Sequence, residues 1–238
     1  MGCVLTRCIA EKDGMQTVAG LDIADNFDGA YPIYADPAAV KESIDVIIDF
    51  SNPAALSKTI ALAKTHNVPA VIATTGLSDE QMREVEALAK KVPVFFSGNM
   101  SIGINLLTEL VKKAAAVLGN DFDIEIVEKH HNQKVDAPSG TALMLANAAK
   151  DGLDFEPEYV YERQSRRQKR NKKEIGISAV RAGTIVGEHD VIFGGRDEVI
   201  TLSHLALSKE IFATGAINAA AFLIGKEPGM YSMKDMLA

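Results

Sequence analysis

Apolar positions along this chain recur with two periods, and the switches between them mark out its elements. Val4, Leu5, Cys8 and Ile9 fall on one helical face almost at the first residue, with no strand ahead of them. Met15 to Asp22 has the composition of a strand ending in an acid, and Ile44 to Phe50 that of a more buried one. Ser51-Asn52-Pro53 opens a helix predicted to reach about His66, with proline tolerated in its first turn. Pro69 to Thr74 follows as a strand, Thr75-Gly76-Leu77 turns the chain, and Ser78-Asp79-Glu80-Gln81 is a capping box leading a helix to about Lys91. Val92 to Phe96 is again a strand, and after residues 97–101 a long helix runs to about Leu118. This alternation predicts an α/β fold with a doubly wound, Rossmann-like parallel sheet, which binds dinucleotides beyond the carboxyl ends of its strands.

After Asp121 the rhythm changes. Phe122, Ile124 and Ile126 alternate as in a strand, and Thr141 to Lys150 has the Ala, Leu and Met content of a helix. Ile175 to Ala182, Val191 to Phe193 and Val199 to Ala206 are strand-like with little helix between them, which predicts a mixed sheet and a second, α+β domain. Lys209 to Ile224 is an Ala-rich helix expected to pack back on the first domain, and a short helix starts at Ser232. The expected division is therefore 1–101 with 210–238, and 102–209.

Composition narrows the classes. Apolar content of 47% and charged content of 24% are ordinary for a globular chain. A net charge of -7 gives no global attraction to nucleic acid or to an anionic membrane, so an anion site has to be local. No apolar run approaches the roughly 18 residues of a membrane span, and no secretory leader is recognisable. Cys3 and Cys8, five apart on one predicted helix, are poorly placed for a disulfide and fit reduced packing residues of a cytoplasmic protein.

The candidate chemistry lies between the predicted strand at 122–126 and the predicted helix at 141–150. His130, His131 and Lys134 can carry or move protons, and Ser139, Gly140 and Thr141 form the cap and first turn of that helix. The N–H groups and positive dipole end of a helix start favour a carboxylate or phosphate, so the predicted guest is negatively charged. Adjacent strand residues face opposite sides, so His130 and His131 do not both reach one metal ion, and no metal site is expected. Arg163 to Lys173 holds seven basic residues, read either as a solvated, mobile loop or as an arm for an anionic ligand; without interleaved aromatics it lacks a single-strand nucleic-acid binder's stacking partners. Arg181-Ala182-Gly183 and Gly187-Glu188-His189 bracket a predicted turn. Asp22, at a strand end, stands where a dinucleotide fold places an acid for the ribose hydroxyls, yet the chain has no G-x-G-x-x-G.

The block from His130 to Ala142, His-His-Asn-Gln-Lys-Val-Asp-Ala-Pro-Ser-Gly-Thr-Ala, resembles the signature of the dihydrodipicolinate reductase family. The resemblance extends over nearly the whole chain, through Asp49-Phe50-Ser51-Asn52-Pro53, Ala73-Thr74-Thr75-Gly76, Gly98-Asn99-Met100-Ser101, Arg181-Ala182-Gly183, Gly187-Glu188-His189 and Gly225-Lys226-Glu227. It implies reduction of a cyclic dicarboxylate by NADH or NADPH, in a nucleotide domain joined to a substrate and tetramerisation domain, and hence a homotetramer. It further implies His130 as proton donor/acceptor, Lys134 as a second catalytic group, and His131 with Gly140 and Thr141 as substrate ligands. Ala73, Thr74 and Thr75 match the loop beside the nicotinamide, Ser97, Gly98, Asn99 and Met100 a second cofactor loop, and Asp22 the ribose contact. An acid at 22 disfavours a 2′-phosphate, which tilts the expectation toward NADH.

One departure from the family pattern is at the N-terminus, where Met1-Gly2 resembles the end of a glycine-rich loop, so the first strand and most of the pyrophosphate cradle are expected to be missing. The competing expectation is then a dicarboxylate-binding or assembly protein of the same fold without dinucleotide binding. A third is a nucleic-acid binder using Arg163 to Lys173, which the net charge opposes.

Overall fold

The structure, a computed structural model, describes residues 1–23 and 29–237. Two compact units form, residues 1–101 with 209–238 and residues 102–208. The first opens with α1 (Gly2–Ala10), β1 (Gly20–Leu21), β2 (Ile33–Tyr34), β3 (Ile47–Asp49), α2 (Leu56–His66), β4 (Ala70–Ile72), α3 (Asp79–Ala89) and β5 (Pro93–Phe96). The second consists of α4 (Ile102–Leu118), β6 (Asp123–His130), α5 (Gly140–Gly152), β7 (Glu158–Val160), β8 (Glu174–Arg181), β9 (Gly187–Gly194) and β10 (Val199–Ala206). The chain then returns to the first unit as α6 (Glu210–Leu223), β11 (Gly229–Tyr231) and α7 (Met233–Leu237).

In the first unit the strand order β11-β5-β4-β3 is parallel throughout. Ala70, Ile72 and Val94 pack against Leu56, Ile60, Val85 and Leu88 of α2 and α3, while Val71 and Phe95 face Ala216, Ala219 and Leu223 of α6. Burial on both faces is why these strands are continuous apolar runs rather than alternating ones. The predicted face of α1 docks on α6, where Cys8 lies with Ala213 and Ile217, and Val4, Leu5 and Ile9 pack around them. Ser78 and Gln81 form the predicted capping box, with bonds of 3.2 and 3.0 Å in the two directions.

Met15 to Asp22 is a shorter strand than its composition predicts. Among the described residues Gly20 and Leu21 alone of this stretch pair in a ladder, because their partner β2 lies between Pro32 and the Asp36-capped turn at Pro37–Ala39. Proline at both boundaries cannot extend a ladder. β2, β7 and β11 are two or three residues long, too short to show a period of their own.

The second unit is a mixed five-stranded sheet of order β10-β9-β6-β8-β7, with β6, β8 and β7 parallel and β9 antiparallel to β6 and β10. One face buries Ile124, Ile126, Ile175, Ile177, Val191 and Phe193 under Leu107 and Val111 of α4 and Leu145 and Ala149 of α5. Its other face is more polar and carries the Lys129–Glu188 ion pair at 2.8 Å. Three of the four arginines in the basic run from Arg163 to Lys173 are held by acids of the sheet. Arg163 meets Glu174 and Glu125 at 2.8 and 2.6 Å, Arg166 meets Glu158 at 2.9 Å, and Arg170 meets Asp123 and Glu125 at 2.8 and 2.9 Å. No helix among the described residues is long and apolar enough to cross a membrane.

Candidate active site

Strand period two continues along the covered face of β6 past Ile124 and Ile126, and its next two positions are Glu128 and His130. A carboxylate with 0% exposure and an imidazole with 8% thus stand where the core pattern would put aliphatics. A buried charge of this kind survives only with partners, and Glu128 has four contacts. Arg181, at the end of the neighbouring β8, grips it bidentately, Nη1 to Oε2 and Nη2 to Oε1, both at 2.8 Å. The Ser139 N–H donates to Oε1 at 3.0 Å, and His130 Nδ1 stands 2.6 Å from Oε2. Burial pushes the Glu128 carboxyl up, but Arg181, His130 and the Ser139 N–H outweigh it and hold the group below the usual carboxylate range.

The segment after β6 is tied down from several directions. Ala182 N–H donates to the His130 carbonyl at 2.9 Å, Asn132 N–H to Gly183 at 3.1 Å, and Arg181 Nη2 to the Asp136 carbonyl at 2.6 Å. Lys134 pairs with Asp136 at 2.7 Å, and its ammonium holds that carboxyl below its ordinary value. Ser139 caps α5 by accepting the Ala142 N–H at 3.1 Å, and its hydroxyl lies 3.0 Å from His189 Nε2. The His189 and His130 rings form a T-shaped pair with centroids 5.1 Å apart. Burial, then the charge of His130, pushes His189 down to about 4, so it is a neutral member of the cluster. At the start of α5, apart from its chain neighbours and the helix's own backbone, no heavy atom lies within 4 Å of where a Gly140 side chain would start. His130, Lys134, Ser139, Gly140 and Thr141 therefore belong to one neighbourhood, with an open helix start beside a buried acid-base pair. His131 is half-buried just beyond the strand, and its carbonyl accepts the Lys134 N–H at 3.1 Å.

In the first unit, β4 and β5 run side by side with Ile72 opposite Phe96, so the loops that follow them are neighbours at the carboxyl edge. Asp49, at the end of β3, accepts from Ser51 N–H at 2.7 Å, Thr59 Oγ1 at 2.9 Å and Thr74 Oγ1 at 3.2 Å, tying the loop after β3 to that after β4. Thr74 (1% exposed) and Met100 (1%) are buried and Ala73 nearly so, so these three have mainly backbone to offer a ligand. Thr75 and Gly98 are exposed, and open space lies in front of Gly76 and Gly98. Ser97 Oγ bridges to Asn99 at 2.7 Å, and Asn99 Oδ1 accepts the Ser101 N–H at 2.9 Å, which fixes the second loop. Two adjacent, unobstructed loops with exposed peptide groups fit a flat, phosphate-bearing cofactor. Asp22 is exposed at the end of β1, on the separate two-stranded sheet, with its N–H on the Tyr34 carbonyl at 3.1 Å.

Glu128 has no place in a reading of motifs alone, although its signal is present: it lies two residues before His130, on the same strand face. Arg181 and His189 stand in recognisable but weak turn patterns, and only the pairing of β6 with β8 and β9 gives them a role.

Comparison with known proteins gives one answer along the whole length. The family description "Dihydrodipicolinate reductase, N-terminus" matches residues 1–100, and "Dihydrodipicolinate reductase, C-terminus" matches residues 103–237. The 4-hydroxy-tetrahydrodipicolinate reductase of Caldanaerobacter subterraneus subsp. tengcongensis is 53% identical over 100% of this chain and 94% of its own length. That of Clostridium tetani is 46% identical over 100% of this chain and 92% of its own. Among solved structures, dipicolinate-bound dihydrodipicolinate reductase from Paenisporosarcina sp. TG-14 is similar with a TM-score of 0.80 at 27% identity, covering 97% of this chain and 92% of that one.

Proposed function

The chain belongs to the dihydrodipicolinate reductase family, and from that premise we propose that it is an NAD(P)H-dependent oxidoreductase reducing 4-hydroxy-tetrahydrodipicolinate to tetrahydrodipicolinate in diaminopimelate and lysine synthesis. The observation that carries the reading is the buried Glu128–His130 pair beside the open start of α5. A proton source and an anion cradle within one connection suit a dicarboxylate that has to be protonated as it is reduced.

The N-terminal family region implies a pyridine nucleotide, which supplies hydride when bound. Ala73, Thr74, Thr75, Ser97, Gly98, Asn99 and Met100 would hold it, chiefly through peptide groups, with Asp22 at the ribose. In the net reaction the 4-hydroxy substrate gains one hydride and one proton and loses water, which carries off the 4-hydroxyl; the bound nucleotide would supply the hydride, His130 would give the proton that quenches the negative charge left on the ring framework, and the Lys134 ammonium would stabilise that charge as it develops. The first turn of α5, with Ser139, Gly140 and Thr141, receives one carboxylate, and His131 helps to hold the ring. Asp22 repels a 2′-phosphate, so NADH is the preferred donor.

A homotetramer is supported by the uncovered face and edge of the second unit's sheet, where Val180, Val199 and Leu205 are 42%, 65% and 57% exposed. The two free cysteines fit a cytoplasmic protein. The test is the loss of reduced-nicotinamide absorbance when the cyclic dicarboxylate is added to the purified chain. Dicarboxylate binding with no absorbance change would select the binding-protein alternative instead.

A further inference from the structure

The geometry points to Glu128 as the positioning residue of the site: clamped by Arg181 and the Ser139 N–H, it fixes the tautomer of His130 so that Nε2 is the atom that exchanges the proton. This rests on His130 being the proton donor of the proposed reaction.

The argument is an inventory of hydrogens. Three of the four contacts on the Glu128 carboxylate are obligatory donors: two guanidinium N–H groups and the backbone N–H of Ser139. A carboxylate held this way is ionised and can only accept. The fourth contact, at 2.6 Å, is therefore donated by Nδ1–H of His130. In the neutral ring the lone pair then belongs to Nε2, and a proton taken up by the ring is the one on Nε2.

The surroundings of Nε2 agree with this assignment. It stands 3.1 Å from the position a side chain at Gly187 would occupy, on the strand antiparallel to β6, so any side chain at 187 would push the ring aside by a few tenths of an ångström. Glu128 fixes one end of the imidazole, the His189 ring packs on it in a T-shaped pair with centroids 5.1 Å apart, and the absence of a side chain at 187 keeps the other end clear. Arg181 acts through Glu128 and also holds the Asp136 carbonyl, so one guanidinium sets both the proton-bearing ring and the loop that carries Lys134.

The test is made on the full chain, with histidine ring nitrogens labelled and their long-range proton correlations recorded in alkaline buffer. The unsubstituted protein is expected to show the Nδ1–H tautomer at His130, and an Nε2–H pattern overturns the inference without any variant. In Glu128→Gln the Nδ1–H pattern is expected to be lost and kcat to fall by about 10- to 1,000-fold, with the nucleotide KM within about twofold. Gly187→Ala, which leaves all the carboxylate contacts in place, is expected to lower kcat about tenfold or more by crowding Nε2. Unchanged kcat in a folded Glu128→Gln protein also overturns the inference. His130→Gln separates the two readings: if it keeps turnover the proton-donor assignment itself fails, and if it loses turnover while Glu128→Gln does not, only the positioning role fails.

Discussion

At the scale of single residues the second unit's site is a set of compensations. His189 illustrates how burial sets a measurable property. Folded, it stays neutral down to about pH 4, whereas in the unfolded chain it takes up a proton below about 6.5. The unfolded state therefore binds more protons between those values, and stability falls as pH drops across the window by up to about 3 kcal/mol, with no contribution above it. His130, Glu128, His204 and Lys134 face it and modulate the midpoint. Denaturant unfolding of the protein and of His189→Gln between pH 7 and 4 is expected to show a flatter pH dependence in the variant; parallel curves would remove His189 from the account. On the nucleotide side, Asp22→Ser is expected to raise the ratio of NADPH to NADH efficiency by about tenfold, read from kcat/KM for the two donors, because a like charge opposite a 2′-phosphate is removed. Histidine, lysine and the acid at 22 were legible as chemistry from sequence because each type is informative by itself. Glu128 was not, since a glutamate in phase with Ile124 and Ile126 gives no sign of the partners that let it stay buried until Arg181 of β8 and the start of α5 are brought to it.

At the scale of elements, short connections place the groups. Ser139 does two jobs at the start of α5, capping it and reaching His189, so Ser139→Ala is expected to cost about 1–2 kcal/mol in unfolding free energy. The loop after β5 is held from below by α6, where a side chain at Gly215 would start only 1.7 Å from the Met100 carbonyl. Gly215→Ala is therefore expected to displace residues 97–101, weakening nucleotide binding severalfold and destabilising by about 1–3 kcal/mol; calorimetric titration and thermal melting measure the two effects, and an unshifted nucleotide affinity would separate that loop from the cofactor. The long helices, the capping box and the buried parallel strands were legible because each spans several periods of its pattern. β2, β7 and β11 were not, because strands of two or three residues are defined by the neighbour they pair with. The basic run shows the same limit in its charges: Arg163, Arg166 and Arg170 look like part of a solvated block until Asp123, Glu125, Glu158 and Glu174 are brought alongside by the sheet.

At the scale of the whole molecule, one unit offers open loops at the carboxyl ends of a parallel sheet, and the other a buried Glu128–His130 pair at the end of a mixed one. The α/β class and the change of rhythm after Asp121 were readable from periodicity, while strand order had to come from the structure, since sequence gives each strand's faces but not its neighbours. Assembly is expected to use the uncovered face of the mixed sheet, so Leu205→Glu is predicted to lower the mass measured by light scattering without loss of secondary structure. The most direct test of the account compares His130→Gln with the unsubstituted chain, measuring kcat with the cyclic dicarboxylate and, separately, the Kd for NADH. The account predicts a fall in kcat of about 10²- to 10⁴-fold with the NADH Kd within about twofold. Near-native turnover in the variant would contradict it.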